Sequence, residues 1–328
     1  MSFIGTKELN NIFVGNKEVQ SVFVGNNKIY SKEVTPTSDP FLTFSSPNSF
    51  TLSVSNSTKN WDGTLEYSID KSTWDIWTGT TVLSSSLDGQ NNVIYLRGSN
   101  NTKITGGDGV QYVDYAQRWV LNGSDISCIG NIENLLDYQQ VQQGIHPSMG
   151  KVCFGGLFKD CVSLISPPML PAVTLNTCCY GGMFRGCINL LTAPELPATT
   201  LTASCYAGMF ADCYSLTVAP SLPAINPDIP LYYCYSSMFE NCSSLSTIPS
   251  LTSIYTAGWG YYKMFKGCSL VKISSEETAE YKNKIFIPYH RTGTGQAAIV
   301  EDMFAGTGGV FTGTPAEGRY YYTSNDLV

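Results

Sequence analysis

Charge is what this 328-residue chain has least of. Asp, Glu, Lys and Arg make up only 14% of it, against about 25% in a typical soluble domain. What charge there is leans acidic, with 19 basic and 26 acidic residues, a net charge of −7 and a pI near 4.9. That balance argues against nucleic acid or an anionic membrane as partner. Histidine is scarce too: His146 and His290 are the only two. Both stand near prolines in loop-like stretches and suggest neither a catalytic triad nor a zinc site. No apolar run approaches the ~18 residues of a spanning helix, so no membrane insertion is expected. No CxxC spacing occurs, which removes the usual zinc signature. Gly293-Thr294-Gly295-Gln296 lacks the Lys-Ser/Thr that would complete a phosphate loop. Glu276, Glu277 and Glu280 could suggest a glycosidase pair or a calcium site, but they read better as a solvated face. The opening residues show no basic stretch followed by an apolar one and no lipobox-type cysteine, so export by the usual route is not expected. Taken together, the absences lead us to expect no enzyme, no cofactor and no metal.

Cysteine, by contrast, is plentiful, with 11 in the chain, and it falls in register. CFGGLFKDCVSL, from Cys153, is followed by CYGGMFRGCINL, CYAGMFADCYSL and CYSSMFENCSSL. A fifth copy, YYKMFKGCSL, has lost its first cysteine. Phenylalanine recurs at Phe158, Phe184, Phe210, Phe239 and Phe265, and the second cysteine at Cys161, Cys187, Cys213, Cys242 and Cys268. Between these cores runs a Pro-bounded phrase: PPMLPAVTL, APELPATTL, APSLPAINP, then the degraded IPSLTSIYT. Self-similarity at such a period is the signature of stacked repeats, none of which can bury its apolar face alone.

Placed on a helix, Cys179, Tyr180, Met183, Phe184 and Cys187 occupy one arc of about 140°, the width of a core-facing stripe. The spacing therefore predicts a short helix per repeat, weakened by Gly181-Gly182, then a turn and an extended segment around Ala193–Ala198. On such a helix the two cysteines of a repeat would lie about 12 Å apart, too far for a disulfide. The expectation is a ladder of buried free thiols.

The pattern C-Y-x-x-M-F-x-x-C-x-x-L-x-x-x-P-x-L-P-A, held in register over five copies, resembles the leucine-rich repeats of BspA-like proteins of gut Bacteroides and their phages. The resemblance covers about residues 125–328 and departs at residues 225–230 and after Cys268. It implies a right-handed solenoid with a binding or adhesive role and no catalysis.

Two further regions precede the repeats. Residues 3–30 hold three ten-residue units, FIGTKELNNI, FVGNKEVQSV and FVGNNKIY. Gly5-Thr6, Gly15-Asn16 and Gly25-Asn26 supply turn chemistry between three short strands of about five residues. So few strands need a partner, either identical chains, with a trimer favoured, or a docking surface on another protein. Phe3, Phe13 and Phe23 are the candidate anchor residues. From Phe41 to Asn122 apolar and polar residues alternate in six or seven short stretches, as in an immunoglobulin-like sandwich. The segment LEYSIDKSTWDIW resembles a sandwich domain that often precedes BspA-like repeats. Trp61, Trp74, Trp77 and Trp119 are read as core rather than as a sugar platform.

The resulting expectation is a mainly β chain with short helices in three parts. Residues 1–32 form a β-repeat anchor and oligomerisation segment, 33–122 an immunoglobulin-like β-sandwich, and 123–328 a leucine-rich-repeat α/β solenoid with a C-terminal cap. The N-terminal repeats resemble those opening several phage tail and fibre proteins. The functional expectation is a virion structural protein, assembled in the host cytoplasm and attached to other virion proteins through its N-terminus. The repeats would meet a host surface protein or glycan, with Tyr206, Tyr232, Tyr233, Tyr235, Tyr255, Tyr261 and Tyr262 as candidate ligand surface. The alternative is a leucine-rich-repeat adhesin of the bacterial cell surface.

Overall fold

The computed structural model describes residues 12–14, 17–19, 21–24, 27–31, 39–55, 60–105, 118–223, 225, 231–291 and 298–328. Strand accounts for 26% and helix for 3%, in several sheets of which none is closed. The molecule is mainly β. It divides into two compact units, Met1–Ser38 and Asp39–Val328.

The first unit contains β1 (Ile12–Val14), β2 (Lys17–Val19), β3 (Ser21–Val24) and β4 (Asn27–Ser31). These pair antiparallel as two hairpins, β1 with β2 and β3 with β4. Pairing ends at Val14 opposite Lys17 and Val24 opposite Asn27, on either side of the Gly-Asn pairs that favour tight hairpin bends. Val19 and Ser21 belong to different hairpins, so among the described residues the chain forms antiparallel strand pairs rather than one strand per ten-residue unit. Phe3 lies outside the described residues, while Phe13 and Phe23 fall in β1 and β3.

The second unit opens with β5 (Leu42–Ser46), β6 (Thr51–Val54), β7 (Thr64–Ser68), β8 (Asp75–Ile76), β9 (Leu83–Ser84), β10 (Ser86–Asp88), β11 (Asn91–Ser99), β12 (Trp119–Asn122) and β13 (Ile126–Ile129). Period-two alternation makes these strands: Leu42 and Phe44, Leu52 and Val54, Trp119 and Leu121 all point inward. After α1 (Asn134–Gln142) comes β14 (Leu164–Ser166). One sheet runs β14-β13-β5-β11-β7-β8 with β10 also on β11, and a second runs β12-β6-β9. The division expected after residue 122 falls inside this unit. Trp61, Trp77, Trp119 and Phe158 follow one another at centroid spacings of 5.2, 5.5 and 6.1 Å, carrying one core from the sheets into the repeats.

From Phe158 the column continues through Phe184, Phe210, Phe239, Phe265 and Phe304 as near-parallel stacked rings, 5.7–6.0 Å apart. A second column, Phe154, Tyr180, Tyr206, Tyr235 and Tyr261, runs beside it. Both ends of the phenylalanine column are closed edge-on. Phe44 and Trp119 meet Phe158 at 70° and 78°, and Phe311 meets Phe304 at 81°. Edge-to-face contact is a favoured aromatic geometry.

The short helix expected in each repeat does not form. Val152, Phe154, Gly156, Phe158 and Asp160 donate their N–H groups to carbonyls of the next repeat, at 2.7–2.9 Å. The residues between them, Gly155, Leu157, Lys159 and Cys161, donate to the carbonyl three residues back. An α-helix would send every N–H to its own chain four residues back. Every fourth residue instead turns left-handed: Gly182 and Gly186, Gly208 and Asp212, Ser237 and Asn241, Lys263 and Gly267 all have positive φ. The result is a ribbon of turns with a period of four. It buries the same stripe a helix would and bonds sideways as well. Among the described residues α1 is the only helix, and Asp137 breaks it with an extended φ of −157°.

The remaining strands are β15 (Thr247–Ile248), β16 (Tyr255–Thr256), β17 (Lys272–Ser274), β18 (Asn283–Phe286), β19 (Tyr289–His290), β20 (Gly308–Gly309), β21 (Tyr320–Thr323) and β22 (Asp326–Leu327). The stretch after Cys268, where the repeat pattern departs, joins the tail in a sheet ordered β18-β21-β17-β20. Asn325 pins the tail in place. Its Nδ2 donates to the carbonyls of Ser246 and Leu270 at 2.8 and 3.0 Å, and its Oδ1 accepts from the Lys272 N–H at 2.7 Å.

Candidate functional site

The structure separates the seven tyrosines expected to form a ligand surface. Tyr206, Tyr235 and Tyr261 are buried in the second ring column, so they are core and not surface. They occupy the position of Tyr180, one residue after the first cysteine or its equivalent, which faces inward in every repeat. Tyr233 stacks on Trp259 at 4.8 Å, and Tyr262 carries Lys263 over its ring at 4.7 Å. Tyr232 is half-buried. Of the seven, only Tyr255 is exposed, at 44%.

Tyr255 leads to a group of aromatic residues that face solvent. Its partner across the parallel β16–β19 pair is Tyr289, 45% exposed, with ring centroids 5.8 Å apart. Phe286 lies 5.7 Å from Tyr289 and 5.3 Å from Tyr320, its cross-strand partner on β21. Tyr320 is 57% exposed. The alternation of β18 and β21 explains the arrangement. Ile285 and Tyr321 fill the core side, so Lys284, Phe286, Tyr320 and Tyr322 take the other face. Gly318 makes room for Tyr289. It has φ +67°, and a Cβ there would run into the Tyr289 ring.

Charged groups border this strip. Lys284 Nζ pairs with Glu277 at 3.2 Å, which raises the lysine pKa. Glu317 accepts the His290 N–H at 3.0 Å. Arg319, exposed, adjoins Tyr320 in sequence.

The groups weighed for chemistry are scattered. His146 Nδ1 bonds the Glu133 carboxylate at 2.8 and 3.1 Å. Burial raises the Glu133 pKa and the bond to His146 opposes that rise. The pair borders a cleft of about 360 Å³ with Met149, Val173 and Asn176. Glu276, Glu277 and Glu280 lie exposed on irregular chain. Gly293 to Gln296 fall outside the described residues. Among the described residues no three His, Cys, Asp or Glu side chains gather to hold a metal. Trp61, Trp77 and Trp119 are buried in the core. Trp74 is half-buried, covered by the Arg97 guanidinium at 4.0 Å. All 11 cysteines are buried free thiols.

No protein-family model, curated protein or solved structure matches this chain. Sequence reasoning missed Tyr289, Phe286 and Tyr320 because they lie outside the repeat register. The available signal was alternation, in KIF and RYYYT, beyond Cys268 where the repeat pattern departs.

Proposed function

We propose that this chain is a non-enzymatic structural protein of a phage virion, a head or tail fibre or a capsid decoration. In this reading it displays a BspA-like leucine-rich-repeat solenoid toward the host surface. Residues 41–122 are an immunoglobulin-like sandwich that seats the first repeat. The N-terminal unit attaches to other virion proteins, through Phe3, Phe13 and Phe23, and brings chains together, with a trimer favoured.

The observation that carries the reading is the ring column from Trp61 to Phe304 with hydrogen bonds from each repeat to the next. Such an array is stiff along its length and offers its outer face as a long surface for weak, repeated contacts. Two features support it. The free thiols suit assembly in a reducing cytoplasm. The separate N-terminal unit has hairpins too short to be stable alone. Deleting residues 1–32 tests the assignment of roles. We expect the truncated chain to melt like the full chain but to be missing from assembled particles. A truncated chain that still assembles would contradict the anchor.

A further inference from the structure

We infer that the strip formed by Tyr255, Tyr289, Phe286 and Tyr320 is a binding site for neutral glycan chains. This rests on the display reading above and narrows its ligand class.

Four features point there together. The rings follow one another at 5.8, 5.7 and 5.3 Å, on the scale of successive sugar rings. They are tilted by 36–61° against each other, so each offers its own face to a chain whose units turn along its length. Among the described residues none bonds the hydroxyls of Tyr255, Tyr289 and Tyr320, which leaves three donor–acceptor groups beside four apolar faces. A sugar presents the same alternation, with C–H faces and hydroxyl edges. The rings are also fixed before any ligand arrives. Cross-strand pairing holds both couples, and Gly318 cradles Tyr289. Pre-set rings of low rotamer entropy bind at little ordering cost.

Charge selects among glycans. Lys284 is answered by Glu277, and Glu317 stands near Arg319 in the chain. With Lys284 paired to Glu277 and a net charge of −7 over the chain, an acidic polysaccharide is disfavoured. The only aliphatic side chain adjoining Tyr255 in sequence is exposed Ile254, too little for the apolar centre a protein partner would require.

The test is binding of the labelled full chain to an array of neutral hexose and N-acetylhexosamine oligosaccharides, with uronate-bearing and sialylated ones alongside. The expected result is binding to neutral members, lost about tenfold or more in Tyr320→Ala, with an unchanged melting curve because that side chain is mostly exposed. Tyr289→Phe, which keeps the ring and removes a hydroxyl, should lose less. Equal binding by Tyr320→Ala would overturn the inference. So would binding confined to acidic glycans, no glycan binding at all, or a self-association that Tyr320→Ala abolishes. Adhesion to host envelopes without glycan binding would sink this inference alone. Absence of the chain from particles would sink the display reading and leave the glycan result standing.

Discussion

The thiol of Cys213 donates a hydrogen bond to the carbonyl of Phe184, one repeat back, at 3.1 Å. Cys187 does the same to Phe158, Cys242 to Phe210 and Cys268 to Phe239, at 2.9–3.1 Å. Each of these cysteines thus links two repeats while filling the space of a small apolar side chain. The series ends at Thr307, which replaces the sixth cysteine. Its hydroxyl turns to its own repeat's Phe304 carbonyl at 2.8 Å, where no later thiol exists to donate.

Replacing Cys213 with Ala removes that bond and leaves a small void. The Phe184 carbonyl keeps the Cys187 N–H at 3.0 Å, so it is not orphaned. We expect a loss of about 1–2 kcal/mol in urea unfolding. No change would mean the thiol bond contributes nothing.

Phe210 is stacked on both sides, at 5.7 Å from Phe184 and from Phe239. Phe210→Ala should cost about 3–5 kcal/mol. An unaltered melting curve would show that the phenylalanine register is not the core.

Glycine substitutions separate the turn ribbon from a helix. In a helix, Gly→Ala stabilises by about 1 kcal/mol. Here Gly208 has φ +60° with open space around it, and Gly186 has φ +75° with the Asp160 carboxylate in the way of a Cβ. Both Ala variants should therefore destabilise, Gly208→Ala by about 1 kcal/mol from backbone strain and Gly186→Ala by more. Stabilisation by either would restore the helix.

The thiols also set a pH limit. Burial pushes Cys161, Cys179 and Cys268 from 9.0 up to about 12. Between those values the unfolded chain releases protons that the folded chain keeps. The stability these thiols contribute is full below pH 9 and is lost as pH rises toward 12. The melting temperature should be level between roughly pH 6 and 8 and fall above 9. Titration in denaturant without reductant should find close to the 11 free thiols present. A count near one would mean disulfides.

Much of this was legible in the sequence, for reasons that can be named. Repeat register and the inward face of Cys179, Met183, Phe184 and Cys187 follow from spacing. A period of four and one of 3.6 bury the same residues over two turns, so the stripe could not tell ribbon from helix. The distinguishing signal lay just before the second cysteine, where Asp160, Gly186, Asp212, Asn241, Gly267 and Gly306 stand in turn. All are residue types that tolerate the left-handed region, and all have positive φ. The thiols are free, although the helical distance that would separate them does not apply to a ribbon of turns. The tyrosines failed differently. Composition counts Tyr206 and Tyr255 alike, whereas only the register reveals that Tyr206 shares the buried position of Tyr180. The sheet built by β17, β18, β20 and β21 depends on pairing between segments some 35–50 residues apart, which no local pattern specifies.

The most direct test of the functional account is mass spectrometry of purified phage particles, followed by immunogold labelling with antibody against residues 153–268. The account predicts peptides of this chain in the particle and label at a defined place on the head or tail. Absence from particles, with label on the bacterial envelope instead, would contradict it and make the chain a cell-surface adhesin.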